Sequence, residues 1–330
     1  MIQRLFSIFE PFVLSLLGTV LLATVLPPRG GFATFASYLA DAGIVLLFFL
    51  HGAKLSRDAI WVGLRNWPLH LAVLASTFLL FPVLGLGLSH LPGVDSSFAA
   101  GLLFLTLLPS TVQSSIAFTA IARGNVAAAI CSASFSNLLG IVLTPALVAL
   151  LMRVNGGAGV SLASIEGILL QLLAPFVAGH LLRPWIGGFV GRHKSLLTIV
   201  DRGSILLVVY TAFGAAVVEG LWTRVSPGDL GQLILLCMLL LGVVLAATYV
   251  IARAMRLSPE DAIVLQFCGS KKSLASGVPM AGVLFPAAQV GVILLPVMLF
   301  HQIQLIACAM LARHYGERAG KEGEEPSPTL

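Results

Sequence analysis

The chain reads as a succession of long apolar runs, each closed by Gly, Pro or a charged residue, with little strict alternation of polar and apolar positions. An apolar run of about 20 residues matches a helix long enough to cross the hydrocarbon core of a bilayer. Backbone in lipid has no water to bond, so only helices or a closed barrel can span it, and a barrel would need the missing alternation. The punctuation predicts ten spans, at roughly 8–26, 34–52, 68–89, 97–122, 126–152, 162–182, 203–221, 229–252, 260–284 and 288–312. The first run follows Arg4 but ends in Pro27-Pro28-Arg29 with no small-residue cleavage pattern, so it is read as a span and not as a signal peptide.

Composition agrees with an all-α integral membrane protein. Hydrophobic residues make up 58% of the chain, charged residues 10%, and the mean hydropathy is +1.00, whereas a soluble domain carries roughly a quarter charged residues. The net charge of +5 sits in short clusters between apolar runs, which fits membrane orientation and not a nucleic-acid stripe. With the N-terminus in the cytoplasm, fourteen of the nineteen Lys and Arg fall on the inner side. Only Arg29, Arg153 and Arg224 fall outside, and Lys271 and Lys272 lie within span nine. That asymmetry predicts a multi-pass protein of the inner or plasma membrane with both termini cytoplasmic. Residues 1–315 form one transmembrane domain, and 316–330 read as a charged cytoplasmic tail. The four cysteines lie inside apolar runs without metal-ligand spacing, as small buried residues do.

Two spans are interrupted. Span four contains Leu108-Pro109-Ser110-Thr111-Val112-Gln113-Ser114-Ser115, and span nine contains Gln266-Phe267-Cys268-Gly269-Ser270-Lys271-Lys272-Ser273 with Pro279 after it. Each is the fourth span of a five-span half. A half with an odd number of spans inserts its successor upside down, so the prediction is an inverted 5+5 repeat with discontinuous helices at equivalent positions, the sequence pointer to a transporter's binding site. The plainer reading of each segment alone is a proline kink with Ser and Thr bonding back to the previous turn; the matched positions favour the paired reading. Lys271 lies near the middle of its span, where a charge is costly and marks a substrate or ion pathway. The alternative is a displaced helix that lets both lysines reach an interface.

These residues resemble a known family. Ala122-Arg123-Gly124-Asn125-Val126-Ala127 after a broken fourth span, with Thr144-Pro145 in the fifth, is similar to the bile acid:sodium symporter family. The run from Phe267 to Met280 narrows the resemblance to the divergent branch that includes the seventh human member of solute carrier family 10. The resemblance covers the chain to about Tyr315. It implies a core of spans 3–5 and 8–10, about 68–152 and 228–315, in which spans four and nine cross at their breaks. Spans 1, 2, 6 and 7, about 1–67 and 153–227, form a panel, and substrate lies between panel and core.

Carried over residue by residue, the family's sodium ligands fall on Ser114 and Ser115 in span four, on Gln266, Ser270 and Lys271 in span nine, and on Thr77 in span three. The hydroxyl ligands of span five fall on Ala129 and Ala133, which cannot coordinate, with Ser132, Ser134, Ser136 and Asn137 as neighbours able to substitute. Lys272 and Ser273 complete the span-nine set, and His301 and Gln302, with Gln304, occupy the corresponding part of span ten. Ser114, Ser115 and Gln266 are the oxygen ligands left for a sodium ion. An acidic ligand is missing and a cation has appeared in its neighbourhood. The expectation is therefore that a lysine ammonium replaces one sodium, accepted by carbonyls at the breaks and by Gln266. An amine out of water releases its proton more readily, which admits proton coupling. The function expected is secondary transport of small organic anions coupled to sodium or protons, with no resident cofactor. The alternative is a non-transporting regulator of cation (calcium) homeostasis. An intramembrane enzyme ranks last, since no zinc-ligand helix or catalytic aspartate pair is visible.

Overall fold

A computed structural model describes residues 11–54, 66–152 and 162–322. Arg4, Arg57, Arg65 and Arg153 of the charge count lie outside the described residues, as does the end of the tail, 323–330. The described residues are helical, with no strand among them. In chain order the helices are α1 (Pro11–Val25), α2 (Gly30–Lys54), α3 (Trp67–Ser89), α4 (Ser96–Leu107), α5 (Gln113–Ile121), α6 (Val126–Leu151) and α7 (Leu162–Arg192). They continue as α8 (Lys194–Val218), the single turn α9 (Leu221–Arg224), α10 (Pro227–Ala254), α11 (Pro259–Gly269), α12 (Leu274–Leu284) and α13 (Ala287–Glu322).

Six of these are long and apolar enough to cross a membrane: α2, α3, α6, α8, α10 and α13. Their outward faces carry large exposed apolar side chains, such as Leu79 at 64% and Leu150 at 77%, which belong against acyl chains and not water. Over its described residues each predicted run falls mainly on helix, and the fourth and ninth fall on two helices apiece, α4 with α5 and α11 with α12. The second interruption covers Ser270–Ser273, whereas Pro279 lies inside α12. Three helices outrun their apolar segments: α7 reaches Arg192, α8 begins at Lys194 and α13 ends at Glu322. Hydropathy marks where lipid stops; the backbone ladder carries on until a cap or a break ends it.

Local chemistry explains several starts. At α10, Ser226 Oγ accepts from the Asp229 amide (3.1 Å) and the Asp229 carboxylate accepts from the Ser226 amide (2.8 Å), a capping box with Pro227 in the first turn. At α11, Ser258 caps the Asp261 amide ahead of Pro259. The Asp261 carboxylate in turn accepts from Asn66 (2.8 Å) and Asn125 (2.9 Å), while Asn125 caps α6 through the Ala128 amide (3.0 Å). One carboxylate thereby ties the starts of α3, α6 and α11 together.

The helices form two groups. One comprises α1, α2, α7 and α8; the other comprises α3 to α6 and α10 to α13, and the first packs on it through α7 along α6 and α12 and through α8 along α12 and α13. Within the first group α2 and α7 approach at a reciprocal glycine contact. A Cβ on Gly52 would lie 1.9 Å from the Phe176 carbonyl oxygen, and one on Gly179 would lie 1.9 Å from that of Phe49. Small residues that let backbones meet are the usual cement between helices in lipid. Gly52→Ala and Gly179→Ala are expected to cost about 1–3 kcal/mol each through forced separation, read as a lower melting temperature of the purified protein, while Ala at Gly18, which faces open space, leaves it unchanged.

Candidate functional site

The site begins with prolines. In α3, residues Ser76–Leu80 form a π-helical turn, and the Phe81 amide bonds to the Ser76 carbonyl instead of that of Thr77. In the π register the next donor for Thr77 would be residue 82, which is a proline without an N–H. Just past α4, Pro109 has no N–H, and the Ser110 amide, which in a continued helix would serve the Thr106 carbonyl, bonds to Ser136 Oγ (3.0 Å) instead. The carbonyls of Thr77, Thr106 and Leu108 are left facing one another without backbone partners.

Lys272 supplies them. Its Nζ donates to Thr77 (2.8 Å), Thr106 (2.8 Å) and Leu108 (2.7 Å), and lies 4.2 Å from the centre of the Phe81 ring. Three donors of an ammonium meet three acceptors. The side chain is 1% exposed, so it is enclosed by protein and does not snorkel. Its backbone is clamped too: Gln304 Oε1 accepts from the Lys272 amide (2.9 Å) and Gln304 Nε2 donates to the Lys272 carbonyl (2.9 Å).

The two interruptions satisfy each other. Ser110 Oγ donates to the Cys268 carbonyl (2.6 Å), Ser115 Oγ to that of Phe267 (3.1 Å), and the Ser273 amide donates to the Pro109 carbonyl (2.8 Å). Four helix ends thus gather at one place. The carbonyl ends of α4 and α11 lie beside the lysines, where a partial negative charge favours a cation, and the amide ends of α5 and α12 lie on the other side. Lys271 differs from its neighbour. It is 0% exposed, its Nζ has no hydrogen-bond partner, and it sits over the rings of Phe118 (4.3 Å) and Phe267 (5.5 Å).

A cavity of about 340 Å3 opens where the amide ends of α5 and α12 face α1, α2 and α8. Of the residues expected at the site, Ser114, Ser134, Asn137, Ser273 and His301 line it. Thr77, Ser115, Ser136, Gln266, Ser270 and both lysines pack in the junction behind it. Gln302 is half-buried on α13 and does not line the cavity. The expected role of Gln266 as a lysine acceptor is replaced by the proline-freed carbonyls; its amide donates instead to the Leu245 carbonyl (2.9 Å).

A model of the SBF-like CPA transporter family matches residues 10–317. The chain belongs to that family. Over 315 residues it is 53% identical to a protein of Escherichia coli K12 named "Putative symporter YfeH", covering 95% of each chain. It is 56% identical to the protein PA2026 of Pseudomonas aeruginosa over 94% of this chain and 93% of that one. Identity to the rat sodium/bile acid cotransporter 7 is 28%, over 83% of this chain and 81% of the rat protein. A member of this transporter family is a multi-pass membrane protein and not an enzyme.

Within that family frame the Arg123-Gly124-Asn125 stretch has a mechanical reading. Arg123 adopts φ 59, a Cβ on Gly124 would lie 2.5 Å from Ile263, and Asn125 bonds to Asp261. The stretch turns the chain tightly from α5 into α6 against α11, and it presents no group to the cavity. Sequence reasoning missed several cavity residues. Gln113 passed as part of a break, and Lys54 and Arg202 were counted only as inner-side charges. Their shared wall is a tertiary fact with no local signal.

The two lysines are expected to separate in a stability test. Lys272→Met strands three acceptors at roughly 1–3 kcal/mol each and should lower the melting temperature sharply in detergent. Lys271→Met exchanges an amine without an acceptor for an apolar chain of similar size, and should leave it unchanged or raise it.

Proposed function

We propose that this family member is a secondary active transporter of small organic anions, working by alternating access between the two helix groups, with Lys272 fixed in a cation position. The cavity where two half-helix amide ends meet the α1–α2–α8 wall carries this reading. Such ends present N–H groups without intrahelical partners to anionic ligands, and irregular backbone at mid-membrane is tolerated where it packs on protein or lines a cavity. In this reading α1, α2, α7 and α8 are the panel and the remaining helices the core. The ten spans form two inverted repeats, α4–α5 of the first corresponding to α11–α12 of the second.

The proposed topology puts both termini in the cytoplasm of the inner or plasma membrane, so the cavity beside Lys54 opens inward. A second cavity, of about 470 Å3, is lined by Arg29, Asp41 and Glu219 and then lies at the outer end. Small residues let α8 approach the core closely towards that end. A Cβ on Gly282 would lie 3.3 Å from Val208, and one on Gly291 would lie 2.7 Å from the Cβ of Ala216. Exchange of access requires these contacts to part and the inner cavity to close.

The name of the rat relative includes sodium and bile acid, which supports the same substrate class here. An ammonium of fixed position occupies carbonyls that would otherwise receive a small cation. One ion of a two-sodium cycle is thereby replaced, and the driving ion is a single sodium, with Ser114, Ser115 and Gln266 as its oxygen ligands, or a proton. Uptake of a labelled bile acid into proteoliposomes under imposed gradients tests this. Accumulation driven by a sodium gradient alone assigns sodium, and accumulation driven by a pH gradient alone assigns the proton. Flux indifferent to both gradients, or no uptake of any organic anion, overturns the proposal in favour of a regulatory role in cation homeostasis.

A further inference from the structure

One side of α3 carries Trp67, Leu71, Ala75, Leu79 and Val83, spaced by four residues and all exposed. On a helix that spacing makes a single apolar row. α10 packs on α3 at the π turn and past it. Alongside this contact lies a groove of about 590 Å3, bounded by the row and by Ile251 and Met255 of α10. Its lining is apolar except for Ser76.

The end of the groove at Trp67 and Met255 is basic. α10 closes in a Schellman motif, in which the Leu257 amide donates to the Ala252 carbonyl (3.1 Å) and the Arg256 amide to that of Arg253 (3.1 Å). The motif puts Arg256 at φ 52, a conformation that glycine adopts freely and that an arginine holds only against repulsion at its Cβ. Arg253 and Arg256 stand on either side of Met255 in the chain, and both are exposed. The acids that follow them open α11. Asp261 already accepts from Asn66 and Asn125, and Glu260 is exposed. Among the described residues of this stretch, two exposed arginines stand against one exposed carboxylate.

An anionic phospholipid matches both features. Guanidinium groups suit a phosphate, an indole such as that of Trp67 belongs at a bilayer interface, and basic pockets between membrane helices suit anionic headgroups. One leaflet holds about 15 Å of hydrocarbon, half of the bilayer core, and the nine residues from Trp67 to Ser76 rise about 14 Å. An acyl chain entering beside Met255 thus ends at Ala75 and Ser76, where small side chains line the groove. The next residue, Thr77, gives its carbonyl to Lys272.

We propose that the groove between α3 and α10 binds one acyl chain of an anionic phospholipid, whose phosphate is held by Arg253 and Arg256. In the proposed topology this end faces the cytoplasm, so the lipid comes from the inner leaflet. The site does not depend on which anion or ion is transported, and its test leaves that question untouched.

The test uses the full-length purified protein in dodecyl maltoside, with dioleoyl phosphatidylglycerol as the anionic lipid, dioleoyl phosphatidylcholine as the lipid without net charge, and glycerol 3-phosphate as a headgroup without chains. Binding is read by thermal stabilisation on titration and by quenching of Trp67 with brominated phosphatidylglycerol, a signal that Trp67→Phe removes. Phosphatidylglycerol should bind roughly 20-fold more tightly than phosphatidylcholine, each arginine contributing about fivefold, and glycerol 3-phosphate should not stabilise. Arg256→Gly and Arg253→Gln should each lower the preference about fivefold. Arg256→Gly also relieves the left-handed backbone, so its melting temperature without lipid should hold or rise, which separates lost binding from lost fold. Ala75→Phe fills the groove and should remove binding of both lipids. Arg123→Gly is the control: Arg123 occupies the same left-handed position after α5, at φ 59, but does not border the groove, and the preference should stay. A preference unchanged by both Arg256→Gly and Arg253→Gln, or lowered equally by Arg123→Gly, overturns the site, as does stabilisation by glycerol 3-phosphate equal to that by lipid. A concentration-dependent dimer that Ala75→Phe dissolves, without lipid preference, gives the groove to a second copy of the chain and also overturns it.

Discussion

Every backbone carbonyl inside a bilayer must find a donor, and three in this protein cannot find one in their own helices. Pro82 leaves Thr77 without its next donor in the π register, and at the break around Pro109 the Ser110 amide turns from Thr106 to Ser136; a π-turn and a helix break are the shapes the backbone takes there. Lys272 answers all three with one ammonium. The surrounding arrangement follows from that contact. Lys272 must sit beyond the carbonyl end of α11, so α11 has to stop at Gly269, and the chain between α11 and α12 has to lie against the chain between α4 and α5. The cavity exists on the far side because both following helices start there.

Adjacent lysines meet different physics within one turn of chain. Lys272 is fully engaged by oxygen, in the way a small cation would be, and its backbone is held by Gln304. Lys271 has aromatic faces in place of oxygen acceptors. Aromatic rings attract a cation more weakly than a set of three carbonyls. One lysine is therefore built into the frame as a strut, and the other is held only by packing and ring contacts.

The proposed function separates two kinds of charge in space. A cation is locked inside the junction on the carbonyl side of the helix breaks, and an anion is expected on their amide side, in the cavity. The same four helix ends serve both, because a helix dipole offers opposite signs at its two termini. The wall contributed by α2 and α8, with Lys54, Asp201 and Arg202, faces those amide ends across the cavity. In an alternating-access cycle that division leaves the junction rigid and gives the movement to the surface between the helix groups, where α8 touches α12 and α13 across small residues.

The membrane nature of the chain, the positions of its helices and the two interruptions were legible in the sequence because they depend on local properties: run length, proline, glycine and the cost of a charge at mid-depth. Thr77 was legible as a site residue only through resemblance to relatives and Lys272 through its place at mid-span, and their contact with each other joins segments 195 positions apart. Tertiary structure alone decided which carbonyls receive the ammonium, that Gln266 turns to Leu245 instead, and that Arg123-Gly124-Asn125 is a tight turn against α11. It also decided that Lys54 and Arg202, which look like ordinary inner-side charges, share a wall with Asp201. Hydropathy and spacing report how a residue meets lipid or its own helix; which side chain faces which across the bundle is set by packing between distant segments, and no local pattern encodes that.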